Sequence, residues 1–118
     1  MDALRLFRNT QDFTSCSAGH TIFHAGEAGH EMFVVKEGEV EVIVKGEVVE
    51  TVTSGGIFGE MALIDAPTRS ATAIAKTDCQ LVPIDEKRFT FLIQQTPFFG
   101  LYVMRVLARR LRKMDMAK

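Results

Sequence analysis

Gly59-Glu60 and Arg69 are the residues whose types and spacing could do chemistry, and that chemistry is the recognition of a phosphate and a sugar rather than the breaking of a bond. Gly55 and Gly56 lead into Glu60 to Ile64, a stretch that favours a single helical turn, and the amides at the start of such a turn attract an anion. Arg69 stands beyond a short loop containing Pro67 and directly before a strand, where rigid backbone can aim two parallel guanidinium donors at phosphate oxygens. Ser70 adds a hydroxyl donor. A carboxylate beside a phosphate is repelled unless it has another task, and Glu60 has one if it accepts a hydrogen bond from a ribose hydroxyl. Glu60 and Arg69 could also pair with one another, which would offset the cost of burying either alone. The implied ligand carries both a sugar hydroxyl and an anionic phosphate, and a singly charged cyclic monophosphate needs no metal.

The elements that position these residues are short strands. Turn signals at Ala25-Gly26, Glu37-Gly38, Lys45-Gly46 and Ser54-Gly55-Gly56 punctuate a β-rich region from Gly19 to Ile84. Val40, Val42 and Val44 share one face of a strand while Glu39 and Glu41 face the other way. Met32 to Val35 and Val48 to Val52 are expected to pair with it through the glycine turns as an antiparallel meander, and Ala71 to Ala75 and Cys79 to Ile84 supply two further strands. This succession predicts a mainly β, antiparallel jelly-roll barrel over about residues 14–84. Asp2 to Arg8 is expected to form a short helix, and Asp85 to cap a helix over Glu86–Gln95 that Thr96-Pro97 ends. A final helix over about 98–114 carries Leu101, Met104, Leu107, Ala108, Leu111 and Met114 at three- and four-residue steps, with arginines on the remaining surface.

Composition agrees with one such domain spanning 1–118. Hydrophobic residues make up 47% and charged residues 25% at a net charge of −1, a globular balance with nothing that calls for nucleic acid. No apolar run reaches the roughly 18 residues of a membrane span, and the first residues lack a secretion signal, so a cytoplasmic location without a membrane span is expected. Cys16 and Cys79 belong to no CxxC pair, which leaves a metal knuckle or redox motif unsupported; they read as two ordinary thiols, with a single disulfide between them as the alternative.

Around the cassette the sequence resembles the cyclic-nucleotide-binding domain family, shared by catabolite-activator-type regulators, protein kinase A regulatory subunits and nucleotide-gated channels. Phe58-Gly59-Glu60-Met61-Ala62-Leu63 and Arg69-Ser70-Ala71-Thr72 fit the family's phosphate-binding pattern, and Ile22-Phe23, Ala25-Gly26-Glu27, Gly29, Met32 to Val35, Gly38 and Val40 to Val42 are similar to its barrel strands. The resemblance covers almost the whole chain. It implies a non-enzymatic sensor in which Gly59, Glu60, Met61 and Ala62 contact the phosphate or ribose, Glu60 accepts from the ribose 2′-hydroxyl, and Arg69 and Ser70 hold the cyclic phosphate; Phe58 is counted with the ligand site, while the residue types of Phe58, Met61 and Leu63 favour core packing. No cofactor is expected beyond the ligand itself, cyclic AMP or cyclic GMP. Ser70, where relatives preferring cyclic GMP often carry threonine, leans the choice to cyclic AMP. The family's proline directly precedes the arginine; here Thr68 stands between Pro67 and Arg69, and the donor positions remain. Tyr102, Arg105 and Arg109 are the candidates for stacking on the base.

Other readings carry less. His20, His24 and His30 raise a metal-dependent, cupin-like protein, but their spacing lacks the closely set His-x-His that such a site needs. A nucleotide-free interaction or dimerisation barrel is the other alternative. The terminal helix reads as a lid or as a homodimer contact in preference to a nucleic-acid or membrane patch, with an unidentified effector downstream. DNA binding by this chain alone is not expected, since no helix-turn-helix follows.

Overall fold

A computed structural model describes residues 3–65 and 68–116. The elements in chain order are α1 (Leu4–Phe7), β1 (Thr14–Cys16), β2 (Thr21–Phe23), β3 (Glu31–Glu37), β4 (Val40–Val44), β5 (Glu47–Val52), β6 (Ile57–Phe58), α2 (Met61–Ile64), β7 (Thr72–Ala75), β8 (Cys79–Asp85), α3 (Glu86–Gln95) and α4 (Pro97–Met116). The strands form two four-stranded antiparallel sheets, ordered β1-β8-β3-β6 and β2-β7-β4-β5. Odd and even positions of the chain thus alternate between sheets until β4–β5 closes one and β6 returns to the other, which is the jelly-roll arrangement expected from the strand pattern.

The hairpin β4–β5 forms as the sequence predicts. Lys45 (φ 52°) and Gly46 (φ 79°) are both left-handed, the two-residue turn whose twist matches the flanking strands. The expected pairing of Met32–Val35 with Val40–Val44 does not form. β3 lies in the other sheet, against β6 and β8, because Gly38 (φ 98°) turns the chain out of plane and packs against the backbone of Asp78 and Cys79. Burial explains the choice, since consecutive Val34 and Val35 are both fully buried, one on each face of β3, as a central strand covered on both sides requires.

Those two faces belong to two cores. Between the sheets pack Val35, Val40, Val52, Phe58, Ala73, Ala75, Cys79 and Leu81. Outside the first sheet, Met32, Val34, Val82 and Ile84 are covered by Phe7 of α1 and by Phe99, Tyr102, Val103 and Val106 of α4. Phe99 meets the rings of Phe7 and Phe89 edge to face. The Asp85 side chain accepts from the Arg88 amide at 2.8 Å and so caps α3, as its sequence position predicts.

The terminal helix uses a different face from the one expected. Its barrel-facing residues are Phe99, Tyr102, Val103 and Val106, joined by Leu107 of the predicted stripe, whereas Met104 and Leu111 of that stripe are each 60% exposed. The helix therefore has a second apolar face that the barrel does not cover. Asp2, Pro67 and the side chain of Met114, all invoked from the sequence, lie outside the described residues. Among the described residues no helix is long and apolar enough to cross a membrane.

Candidate ligand site

β6 delivers the chain to the cassette. Ile57 and Phe58 pair with Val34 and Phe33, then Gly59 turns at φ 78°, a conformation that strains any residue with a Cβ, and the single turn α2 begins at Met61. Gly59 is also a point of close approach, for a Cβ there would stand 2.9 Å from Nη1 of Arg69.

Arg69 reaches this turn from the loop that leads into β7. Its backbone is tied to the loop between β2 and β3, its amide donating to Glu27 O and its carbonyl accepting from the Gly26 amide, with Ala28 and Thr68 bridged alongside. The side chain is 7% exposed. Its guanidinium lies 4.0 Å above the ring of Phe23, and Phe23, Phe33 and Phe58 stack with one another at centroid distances of 5.2 to 6.2 Å. An apolar floor of three rings thus holds a cation. Nη1 donates to Gly59 O at 3.1 Å, while the buried Nε has no hydrogen-bond partner among the described residues. None of the ion pairs among the described residues involves Arg69. Burial pushes the guanidinium below its ordinary value, opposed by the more distant carboxylates of Glu31 and then Glu27. Gly29 makes the arrangement fit: a Cβ on it would fall 2.3 Å from Nε.

Glu60 is solved differently. It is 4% exposed, and its Oε1 accepts from Nη1 of Arg110 on α4. The anticipated pairing of Glu60 with Arg69 is replaced by this one. The same guanidinium donates to both carboxylate oxygens of Glu50, at 2.8 and 3.0 Å, and to Ile57 O at 2.8 Å, so Arg110 fastens β5, β6 and the cassette to α4 with one fork. Beneath α4 lies a cavity of about 340 Å³ bordered by Glu50, Val52, Tyr102, Val106 and Arg110, and neither Glu60 nor Arg69 lines it.

The other expected residues divide. Met61 and Ser70 are exposed beside the cassette and Ala62 is half-buried. Phe58, expected among the ligand contacts, is 2% exposed, and its side chain supports the floor beneath Arg69 from within the intersheet core. Tyr102, a candidate for the base, is buried with its hydroxyl donating to Gly55 O, and Arg105 and Arg109 are exposed. Sequence reasoning missed Arg110. Its signal was there, because Arg110 follows Phe99, Tyr102, Val103 and Val106 at helical steps and so falls on the barrel-facing side, where a charge needs a partner. His20, His24 and His30 are each exposed, and no group of three metal-ligating side chains forms among the described residues.

Residues 13–96 match the family described as the cyclic nucleotide-binding domain. The chain is 39% identical over 77 residues to a cAMP-dependent protein kinase regulatory subunit of Schizosaccharomyces pombe, covering 64% of this chain and 19% of that protein. Among solved structures it is similar to the catabolite activator protein of Thermus thermophilus, with a TM-score of 0.77 and 30% identity over 89% of this chain and 53% of the other. A second structure, from work on a cyclic-GMP-dependent signalling pathway that regulates bacterial phytopathogenesis, superposes with a TM-score of 0.78 at 25% identity and covers 95% of both chains. The chain therefore spans about a fifth of the kinase subunit and about half of the activator.

Proposed function

Because the chain belongs to the cyclic nucleotide-binding domain family, we propose that it is a non-catalytic sensor that binds cyclic AMP in preference to cyclic GMP at the Gly59–Arg69 cassette. The observation that carries this assignment is the buried Arg69 guanidinium. A desolvated cation with an orphaned donor is costly, and a singly charged cyclic phosphate would supply the missing acceptors and charge together. In this assignment the phosphate takes Nε and the outer donors of Arg69 with Ser70, while the turn at Gly59, Met61 and Ala62 closes over it. Glu60 has one carboxylate oxygen engaged by Arg110, and the other accepts from the ribose hydroxyl. Ser70 after the arginine and the identity to a cAMP-dependent kinase subunit favour cyclic AMP.

The response runs through α4. Arg110 joins that helix to Glu60 directly, so a ligand that moves the cassette has differential contact with two positions of α4. The face carrying Met104 and Leu111, free of the barrel, is read as a contact with a second copy of the chain, and the effector of the signal lies beyond it.

Calorimetric titration with cyclic AMP, cyclic GMP and linear 5′-AMP tests the assignment. Saturable binding strongest for cyclic AMP is expected, with amide exchange slowed along α4. A folded protein that binds none of the three refutes a nucleotide site, and a preference for cyclic GMP refutes the base assignment alone.

A further inference from the structure

Cys16 and Cys79, far apart in sequence, are brought opposite one another by the sheet. Cys16 ends β1, Cys79 begins β8, and the antiparallel register makes them direct cross-strand partners; both are free thiols. Directly opposed residues of an antiparallel pair project from the same face with Cα atoms about 4.5 or 5.5 Å apart, inside the window of about 4.4–6.8 Å in which a disulfide closes without moving the backbone. Cys79 is buried and Cys16 half-buried against the same intersheet core.

We propose that Cys16 and Cys79 form a reversible cross-strand disulfide, a redox-modification site at the end of the sandwich remote from the cassette. β3 marks the two ends: Phe33 pairs with Phe58 beside Gly59, whereas Glu37 pairs with Gln80 next to Cys79. The oxidant is a small-molecule disulfide. The Cys16 thiolate, the more accessible sulfur, attacks one sulfur of that molecule, forms a mixed disulfide and expels a small thiolate. The Cys79 thiolate then attacks the Cys16 sulfur and expels the second. Two protein thiols lose two electrons and two protons in all, and the small disulfide is reduced to two thiols.

The surroundings permit the sulfur to turn. Cys79 Sγ lies 3.2 Å from both Glu39 O and Thr77 O, so rotation towards Cys16 gives up one weak S–H bond. Burial, and then the Cys79 thiol, push the Cys16 thiol above its ordinary value; scarce thiolate makes the bridge slow to form. Once formed it closes a loop holding β2 to β7, which restricts the unfolded chain and leaves Arg69 and Glu60 where they are.

The test incubates the full chain in glutathione buffers of increasing oxidised fraction, then reads intact mass, a peptide map and the melting midpoint. An intramolecular Cys16–Cys79 link is expected, lost on reduction, with the midpoint raised by about 10 °C. The half-buried Cys16→Ser variant should fold and show neither link nor rise. Thiols that stay free, a glutathione adduct at Cys16 that never resolves, a link between two chains, or a link that lowers the midpoint would each overturn the proposal.

Discussion

Replacing Arg69 by glutamine should separate the cost of holding a cation in the floor of the cassette from its use. In the free protein the substitution removes a cation–π contact with Phe23 worth about 1–2 kcal/mol and a charged hydrogen bond to Gly59 O worth about 1.5–3 kcal/mol. It also removes an orphaned buried donor, which costs about 1–3 kcal/mol, and an unpaired desolvated charge, which costs more. The terms nearly cancel, so stability should change by no more than about 1 kcal/mol, or about 4 °C in the melt of a chain this size. Binding should behave otherwise. Two charge-assisted hydrogen bonds to the cyclic phosphate are worth about 3–6 kcal/mol, and their loss should weaken cyclic AMP by roughly 160- to 25,000-fold. Calorimetry beside a urea titration reads both quantities on one preparation. Affinity within about fivefold of the parent would remove the guanidinium from the phosphate, and a stability loss near 4 kcal/mol would make Arg69 a structural residue.

Three further substitutions probe the supporting residues. Gly29→Ala places a methyl against Nε of Arg69, so affinity for cyclic AMP should fall at least tenfold, with a stability loss of about 1–2 kcal/mol from overpacking, both measurable in the same titrations. Arg110→Met strands the buried carboxylate of Glu60 and should cost about 3 kcal/mol in urea unfolding, most of it regained in the double variant with Glu60→Gln; equal instability of single and double variants would exclude the pair as the cause. Leu111→Glu should convert a dimer to a monomer in analytical ultracentrifugation while shifting stability by less than about 0.5 kcal/mol, and a parent chain that sediments as a monomer would refute the second-copy contact.

What the sequence discloses is what local physics decides. The cap at Asp85, the end of α3 before Pro97 and the turn at Lys45-Gly46 are each set by residues within four positions, and they form as expected. The cassette was legible because its residues follow one another along the chain, as was the Arg69 position that the structure delivers to Gly59. Partnerships across the fold were not. β3 was assigned to its chain neighbour because nothing in Met32 to Val35 encodes which sheet claims it; the clue lay in two successive buried valines, which mark a strand covered on both faces. Thr14-Ser15-Cys16 is an edge strand whose short, largely polar run gives no periodicity. The α4 stripe was misassigned because that helix has two apolar faces, and spacing alone cannot say which one the barrel takes.

The contrast between the two buried charges bears on how binding would be transmitted. Arg69 is buried and in none of the ion pairs among the described residues, with only the carboxylates of Glu31 and Glu27 acting on it from further off, so in the proposed assignment an arriving phosphate would meet a donor already largely desolvated, which favours affinity. Glu60 has its counter-charge on α4, so in the proposed assignment it would couple the cassette to that helix. A hydrogen bond from a ribose hydroxyl to Glu60 supplies about 1.5–3 kcal/mol, whereas moving a helix from 1% to 99% in one position requires about 5.5 kcal/mol of differential affinity. The ribose contact is therefore too weak to drive α4 by itself. In the proposed mechanism the remainder would have to come through Gly59, whose carbonyl holds Arg69 and whose next residue is Glu60. A phosphate that drew the Arg69 guanidinium away from Gly59 O would free the turn, and the displacement would pass through one peptide unit to Glu60 and through its ion pair to Arg110.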